Sequence, residues 1–243
     1  MEPEATVDFA LASIRRGDLT SAIGRVESDD DAEQVSADYT LLIKILYGQH
    51  KDVTSMVAVG KAAIRYHLRQ SELERDVAAA LKLKTAAKRL AYNVAANCWP
   101  GWGDEGVVIE AAHIDAGLEL AMLSLRLVEE LGLGPQKLGN ARWLVGALQL
   151  AAGRLDASLL SFGQARDASA SIGETTSVLL ADGYRAIAHR QAADRADRSA
   201  QELDDVIDRL MADGSKQARA FADQLRTASR ILDDRRQGWA PRC

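Results

Sequence analysis

Apolar positions along the chain recur at helical intervals. Leu83, Ala87, Leu90 and Val94 fall three or four residues apart and predict one buried stripe. Ile114, Leu118, Ala121, Leu125 and Val128 predict a second, on a helix over about 105–131. The same reading gives helices over about 4–16, 19–28, 35–48 and 51–68, then one running to about Asn97. Downstream it gives about 136–152, 155–171, 174–192, 199–213 and 216–235. An acidic, polar link joins Ser28 to Gln34. Ser71 with Glu74, and Ser199 with Glu202, have capping-box spacing and predict helix starts.

The breaks between helices repeat. Gly17, Asp18 and Leu19 are followed by Ala22; Gly153, Arg154 and Leu155 are followed by Ser158 at the same spacing. Each glycine predicts a turn between two amphipathic helices. Gly132, Gly173 and Gly214 are 41 residues apart in turn, and each step brackets one helical hairpin. Proline placement agrees. Pro3, Pro100, Pro135 and Pro241 leave 4–99 and 136–240 free of proline, which costs about 3 kcal/mol inside a helix. An all-α fold follows, read as one repeat domain over 1–236, with a sub-boundary near 69–71 as an alternative and a loosely held tail over 237–243.

Residues 138–171 carry a resemblance. Trp143, Gly146, Leu150, Gly153, Leu155, Ser158, Phe162 and Ala165 follow an alternation of large and small positions. It resembles that of the tetratricopeptide-repeat (TPR-like) superfamily. Phe9, Gly17, Leu19 and Ala22 form a shorter copy. The resemblance implies antiparallel helical hairpins stacked as a right-handed solenoid, with peptides or proteins bound along its concave side.

Composition narrows the function. Apolar residues at 47 % support a sizeable core, and a net charge of −5 argues against non-specific nucleic-acid binding. No run of about 18 apolar residues predicts a membrane span. The acidic N-terminus, Glu2, Glu4 and Asp8, argues against a signal peptide and for a cytoplasmic protein. Cys98 and Cys243 offer neither a disulfide framework nor zinc spacing, and Cys98 reads as a small buried residue.

Three patterns with chemical precedent lack their second halves. Glu110 and His113 have di-iron spacing, but no second such pair exists. Asp204, Asp205 and Asp208 spell an aspartate-rich motif without a partner motif or an aromatic lining, aromatics being 5 % of the chain. Gly101, Gly103 and Gly106 fit a dinucleotide fingerprint, but no strand precedes them, and Asp104 reads as a helix N-cap. No catalytic residue, metal site or cofactor is expected.

The candidate partner contacts are Arg89, Asn93, Asn97, Trp99, Trp102, Asn140, Tyr184 and Arg185. Arg89, Asn93 and Asn97 recur every four residues and form one row. Amides and guanidinium groups hold a peptide backbone or a carboxylate; asparagines also cap helix ends. Trp99 and Trp102 offer an aromatic platform or a loop anchor. The expected function is a non-catalytic scaffold for a protein or peptide. The alternative is a helical enzyme or small-ligand receptor with a pocket near Asn93, Trp99 and His113. A self-associating subunit, a homo-oligomer, is the third reading.

Overall fold

The computed structural model describes residues 3–29, 31–192 and 196–238. These form eleven α-helices and a 3-10 turn at Pro100–Trp102, with no strand among the described residues. The helices are α1 (Pro3–Arg15), α2 (Leu19–Val26), α3 (Ala32–Gly48), α4 (Val53–Leu73), α5 (Val77–Asn97) and α6 (Ala111–Glu130). Then come α7 (Gly134–Ala151), α8 (Leu155–Ala170), α9 (Thr175–Gln191), α10 (Ala196–Asp213) and α11 (Lys216–Gly238). The chain divides into two compact units. Unit 1 holds 1–98 and 106–127, and unit 2 holds 99–105 and 128–243. The division at 127/128 falls inside α6, and α4 runs unbroken through 69–71.

In unit 1, α1 packs on α2 and α3, α3 on α4, and α4 on α5. Four of its helices open on an aspartate. The carboxylates of Asp18, Asp31, Asp52 and Asp76 accept from amides of the first turns of α2, α3, α4 and α5. Each satisfies amide donors that the helix itself leaves unpaired, worth about 0.5–2 kcal/mol. Polar groups also enter the interior. Tyr39 Oη donates to Glu27 at 2.7 Å, and Arg69 reaches the other oxygen of that carboxylate at 3.0 Å. Burial and the neighbouring Glu27 carboxylate both drive the Tyr39 pKa upward.

In unit 2, α7 packs on α8, α8 on α9, and α9 on α10; α11 packs on both α9 and α10. The hairpin α7–α8 explains the large and small pattern. A Cβ on Gly146 would sit 2.8 Å from the Phe162 ring, so only glycine admits that ring at this depth. Phe162 is wholly buried and stacks on Tyr184, with ring centroids 5.3 Å apart. Trp143 is buried against the edge of the same Tyr184 ring, at 5.4 Å. Ser158 is buried at the position Ala22 holds in the shorter copy, and its hydroxyl donates to the Leu155 carbonyl at 2.7 Å.

The repeated turn is a single hydrogen-bonded device. Gly153 N–H donates to Leu150 O at 3.0 Å, and Arg154 N–H donates to Gln149 O at 2.8 Å. This is the Schellman pattern, which places its glycine in the left-handed region, at φ +72° here. The same two bonds recur around Gly17, Gly132 and Gly173. The second helix start of each matched hairpin is also as expected: Ala22 and Ser158 are both buried.

Several boundaries differ from the sequence expectation. Ser71 does not start a helix: it lies in the last turns of α4, where its hydroxyl donates to Leu68 O. Asp76 is the cap of α5 instead, because its carboxylate reaches the amides of Ala78 and Ala79. Ser199 lies inside α10 and is buried, while Glu202 pairs with Arg198. Asp104 caps no helix, since α6 begins only at Ala111. The tail expected over 237–243 begins within α11, and 239–243 lie outside the described residues.

Candidate functional site

Helix α5 has two faces. Ala87, Leu90, Ala91, Val94 and Ala95 are buried, and this face packs on α4. Another stripe, Ala78, Leu81, Lys82, Thr85, Ala86 and Arg89, lines a solvent-open groove of about 290 Å³. Its members are three or four residues apart, so they form one ridge along the helix. Leu81 is 48 % exposed and Val77, one turn earlier, 72 %. Val77 is mostly outside the core of unit 1, and Leu81 keeps about half its surface in solvent.

Arg89, Asn93 and Asn97 continue the row toward the end of α5. Arg89 and Asn93 are exposed and Asn97 is half-buried. Among the described residues, none of the three side chains has a hydrogen-bonding partner or a salt bridge. Asn97 therefore does not cap the helix end: Cys98 occupies that position, and its backbone N–H closes the last turn. The row presents amide donors, amide acceptors and a guanidinium to solvent.

The remaining candidates fall in unit 2. Trp99 is 1 % exposed and Tyr184 is fully buried, so their rings pack internally rather than offering a surface. Trp99 lies 6.1 Å from Tyr184 and Trp102 5.9 Å from Trp143, forming one aromatic cluster around Tyr184. The Tyr184 hydroxyl accepts from Gln224 at 3.0 Å, and burial raises its pKa against that bond. Arg185 is tied to Asp182 at 3.4 Å, and Asp182 also receives Arg166 at 3.1 Å. Asn140 is exposed on α7. The structure thus gathers Trp99, Trp102 and Tyr184 into packing, and keeps Arg89, Asn93 and Asn97 as an outward row.

Two of the four histidines, His113 and His67, have their ring nitrogens engaged within the fold. At His113, Nδ1 accepts the Glu110 backbone amide at 3.1 Å, and Nε2 faces Thr54 Oγ1 at 2.9 Å. The ring therefore carries its proton on Nε2. Glu110 contributes its amide to this arrangement, so the Glu-x-x-His spacing closes the start of α6 as a capping box does. Among the described residues no cluster of His, Cys, Asp or Glu has a metal-binding arrangement.

Sequence reading missed a second histidine arrangement. His67 Nδ1 donates to Ala63 O at 2.7 Å, and Ser36 Oγ donates to Nε2 at 3.0 Å. His67 is 1 % exposed. Burial holds its pKa below the usual value, the Ala63 carbonyl opposes this, and the Arg89 charge adds to it. Both ring nitrogens are used within the fold, which suits a structural role. The separation of 31 residues between Ser36 and His67 gave no local signal. The groove did leave one: Leu81 is two residues from Leu83, about 200° around the helix, and so lies off the core stripe.

Cys98 is buried and unpaired, and burial pushes its thiol up to about 12. No described helix is long and apolar enough to cross a membrane. No protein-family model matches this chain, and no curated protein matches it.

Proposed function

We propose that this chain is a non-catalytic, TPR-like helical scaffold that binds a protein or peptide partner, with the outer face of α5 as the contact surface. One observation carries the reading. One face of α5 borders a shallow, solvent-open depression that ends at Arg89, and among the described residues Arg89, Asn93 and Asn97 make no side-chain hydrogen bond or salt bridge. An open groove suits an elongated ligand, whereas a small molecule is normally enclosed. Amide and guanidinium groups there would hold the partner's carbonyls, amides or carboxylates.

Support for the repeat architecture comes from unit 2. Its hairpins pack in chain order, α7 also touches α9, and α9 also touches α11. A solenoid requires each helix pair to contact its nearest neighbours, and this packing supports that reading. A cytoplasmic setting belongs to the same proposal and agrees with the buried free thiol of Cys98.

The test is capture from the cell of origin, followed by titration of the purified partner. Arg89→Ala/Asn93→Ala/Asn97→Ala should weaken binding at least about tenfold, near 1.4 kcal/mol. Equal affinity for the wild-type chain and the triple variant would remove α5 as the contact surface.

A further inference from the structure

Resting on the reading of α5 as the partner surface, we propose that the segment bound there is an acidic amphipathic helix. Charge supplies the first argument. The outward face of α5 carries Lys82 and Arg89, and the helix has no aspartate or glutamate, in a chain of net charge −5; Lys84 and Lys88 lie on its other side. Lys82 and Arg89 both line the groove. They stand seven residues apart, about 10.5 Å along the axis. Acidic side chains two turns apart on a facing helix match that interval.

Shape supplies the second. The groove wall is a helix ridge with spacings of three and four residues, the surface into which another helix interdigitates. Helix-in-groove recognition uses anchors at this spacing, and strand addition has no edge to join among the described residues. Exposed Val77 and Leu81, one turn apart on α5, provide the apolar half of the contact, at 72 % and 48 % exposure.

The distribution of charge sets the register. Glu72, Glu74 and Asp76, with Arg75 among them, flank the exposed apolar residues Leu73 and Val77, while Val77–Asn97 carries cations and no acid. The bound helix therefore sets its apolar residues over Val77 and Leu81 and its acids over Lys82 and Arg89. The acidic end also disfavours an anionic lipid surface, which would meet Glu72, Glu74 and Asp76 together with the lysines.

The experiment uses the full chain and a displayed library of random peptides long enough for about four helical turns. Selected peptides are synthesised and titrated by fluorescence anisotropy, with circular dichroism reporting helix formation. Vesicles of phosphatidylserine and phosphatidylcholine form a separate arm. The proposal expects helical binders with apolar residues at three- and four-residue spacing and a flanking run of Asp or Glu. Lys82→Glu/Arg89→Glu should weaken them at least tenfold. Peptides with those acids changed to lysine should prefer the double variant. Leu81→Asp should abolish both.

Binders that need Leu81 but carry no acids, or ignore Lys82→Glu/Arg89→Glu, would overturn the acidic helix and leave the α5 surface standing. Binders indifferent to Leu81→Asp and to Asn93→Ala/Asn97→Ala would overturn both. Binders that stay extended would overturn the helical form. Binding to anionic vesicles, lost in Lys82→Glu/Arg89→Glu, without any α5-dependent peptide would replace the partner helix with a membrane.

Discussion

In unit 1 four helices open on an aspartate, and His67 and Tyr39 of its interior meet polar partners. In unit 2, α7, α8 and α9 open with no side-chain cap, and their hairpins close on glycine turns around an aromatic core. Unit 1 relies mainly on aspartate caps, with one glycine turn at Gly17, whereas the α7–α9 stretch of unit 2 relies on glycine turns, and Ser215 caps the start of α11. The difference shows where specificity lies. Unit 2 depends on the fit of side-chain volumes, Phe162 against Gly146 and Tyr184. Unit 1 depends more on hydrogen bonds across long chain separations, and it leaves one face of α5 without an internal role.

This contrast breaks most easily at Phe162. Replacing it with alanine should cost about 3–5 kcal/mol, because a fully buried ring is lost between packed helices. All four tryptophans, at 99, 102, 143 and 239, fall in the sequence of unit 2, so tryptophan fluorescence follows its unfolding. A loss below about 1 kcal/mol would deny that ring packing organises the α7–α8 hairpin.

The capping contrast predicts a smaller effect. Asp76→Ala should cost about 1 kcal/mol in urea unfolding followed by far-ultraviolet circular dichroism. Glu174→Ala, at the uncapped start of α9, should change stability by less than about 0.5 kcal/mol. Equal losses would erase the distinction between the units' helix starts.

Unit 1 should also be the acid-sensitive one through His67. Its pKa in the fold lies below the unfolded value of 6.5. Above pH 6.5 the ring is neutral in both states and its full contribution is present. As pH falls from there, the unfolded chain takes up the proton first, and stability is lost until the folded ring titrates too. Asp38 acts in the opposite sense, since burial raises its carboxyl above 3.8: its contribution is present below 3.8 and lost as pH rises through the raised value. Comparing wild type with His67→Gln from pH 7 downward isolates the histidine. The loss should vanish in the variant, and an identical pH profile would show that His67 is not its source.

The same contrast explains what could be read from sequence. The α7–α8 hairpin was legible because Trp143, Gly146, Gly153, Ser158 and Phe162 lie close in the chain and their sizes encode the contact. The helical class was legible from proline placement. The Ser36–His67 and Glu27–Tyr39–Arg69 contacts were not, because hydrogen-bonding partners far apart in sequence leave no periodic trace. The capping boxes misled because Ser71 and Ser199 can also bond or pack within helices; the aspartates Asp52 and Asp76 were the effective signals. At the candidate site, the Arg89, Asn93 and Asn97 row was visible as spacing. Its lack of internal partners, and the burial of Trp99 and Tyr184, depended on tertiary packing.

The smallest expected effect on stability bears on the largest claim, that the outer row of α5 is kept for a partner. The direct measurement pairs urea unfolding with titration of the captured partner, for wild type and for Arg89→Ala/Asn93→Ala/Asn97→Ala. The account predicts a stability change within about 0.5 kcal/mol and a loss of affinity of at least about tenfold. Stability lowered by more than about 1 kcal/mol, with affinity unchanged, would show that the row serves the fold and contradict the account.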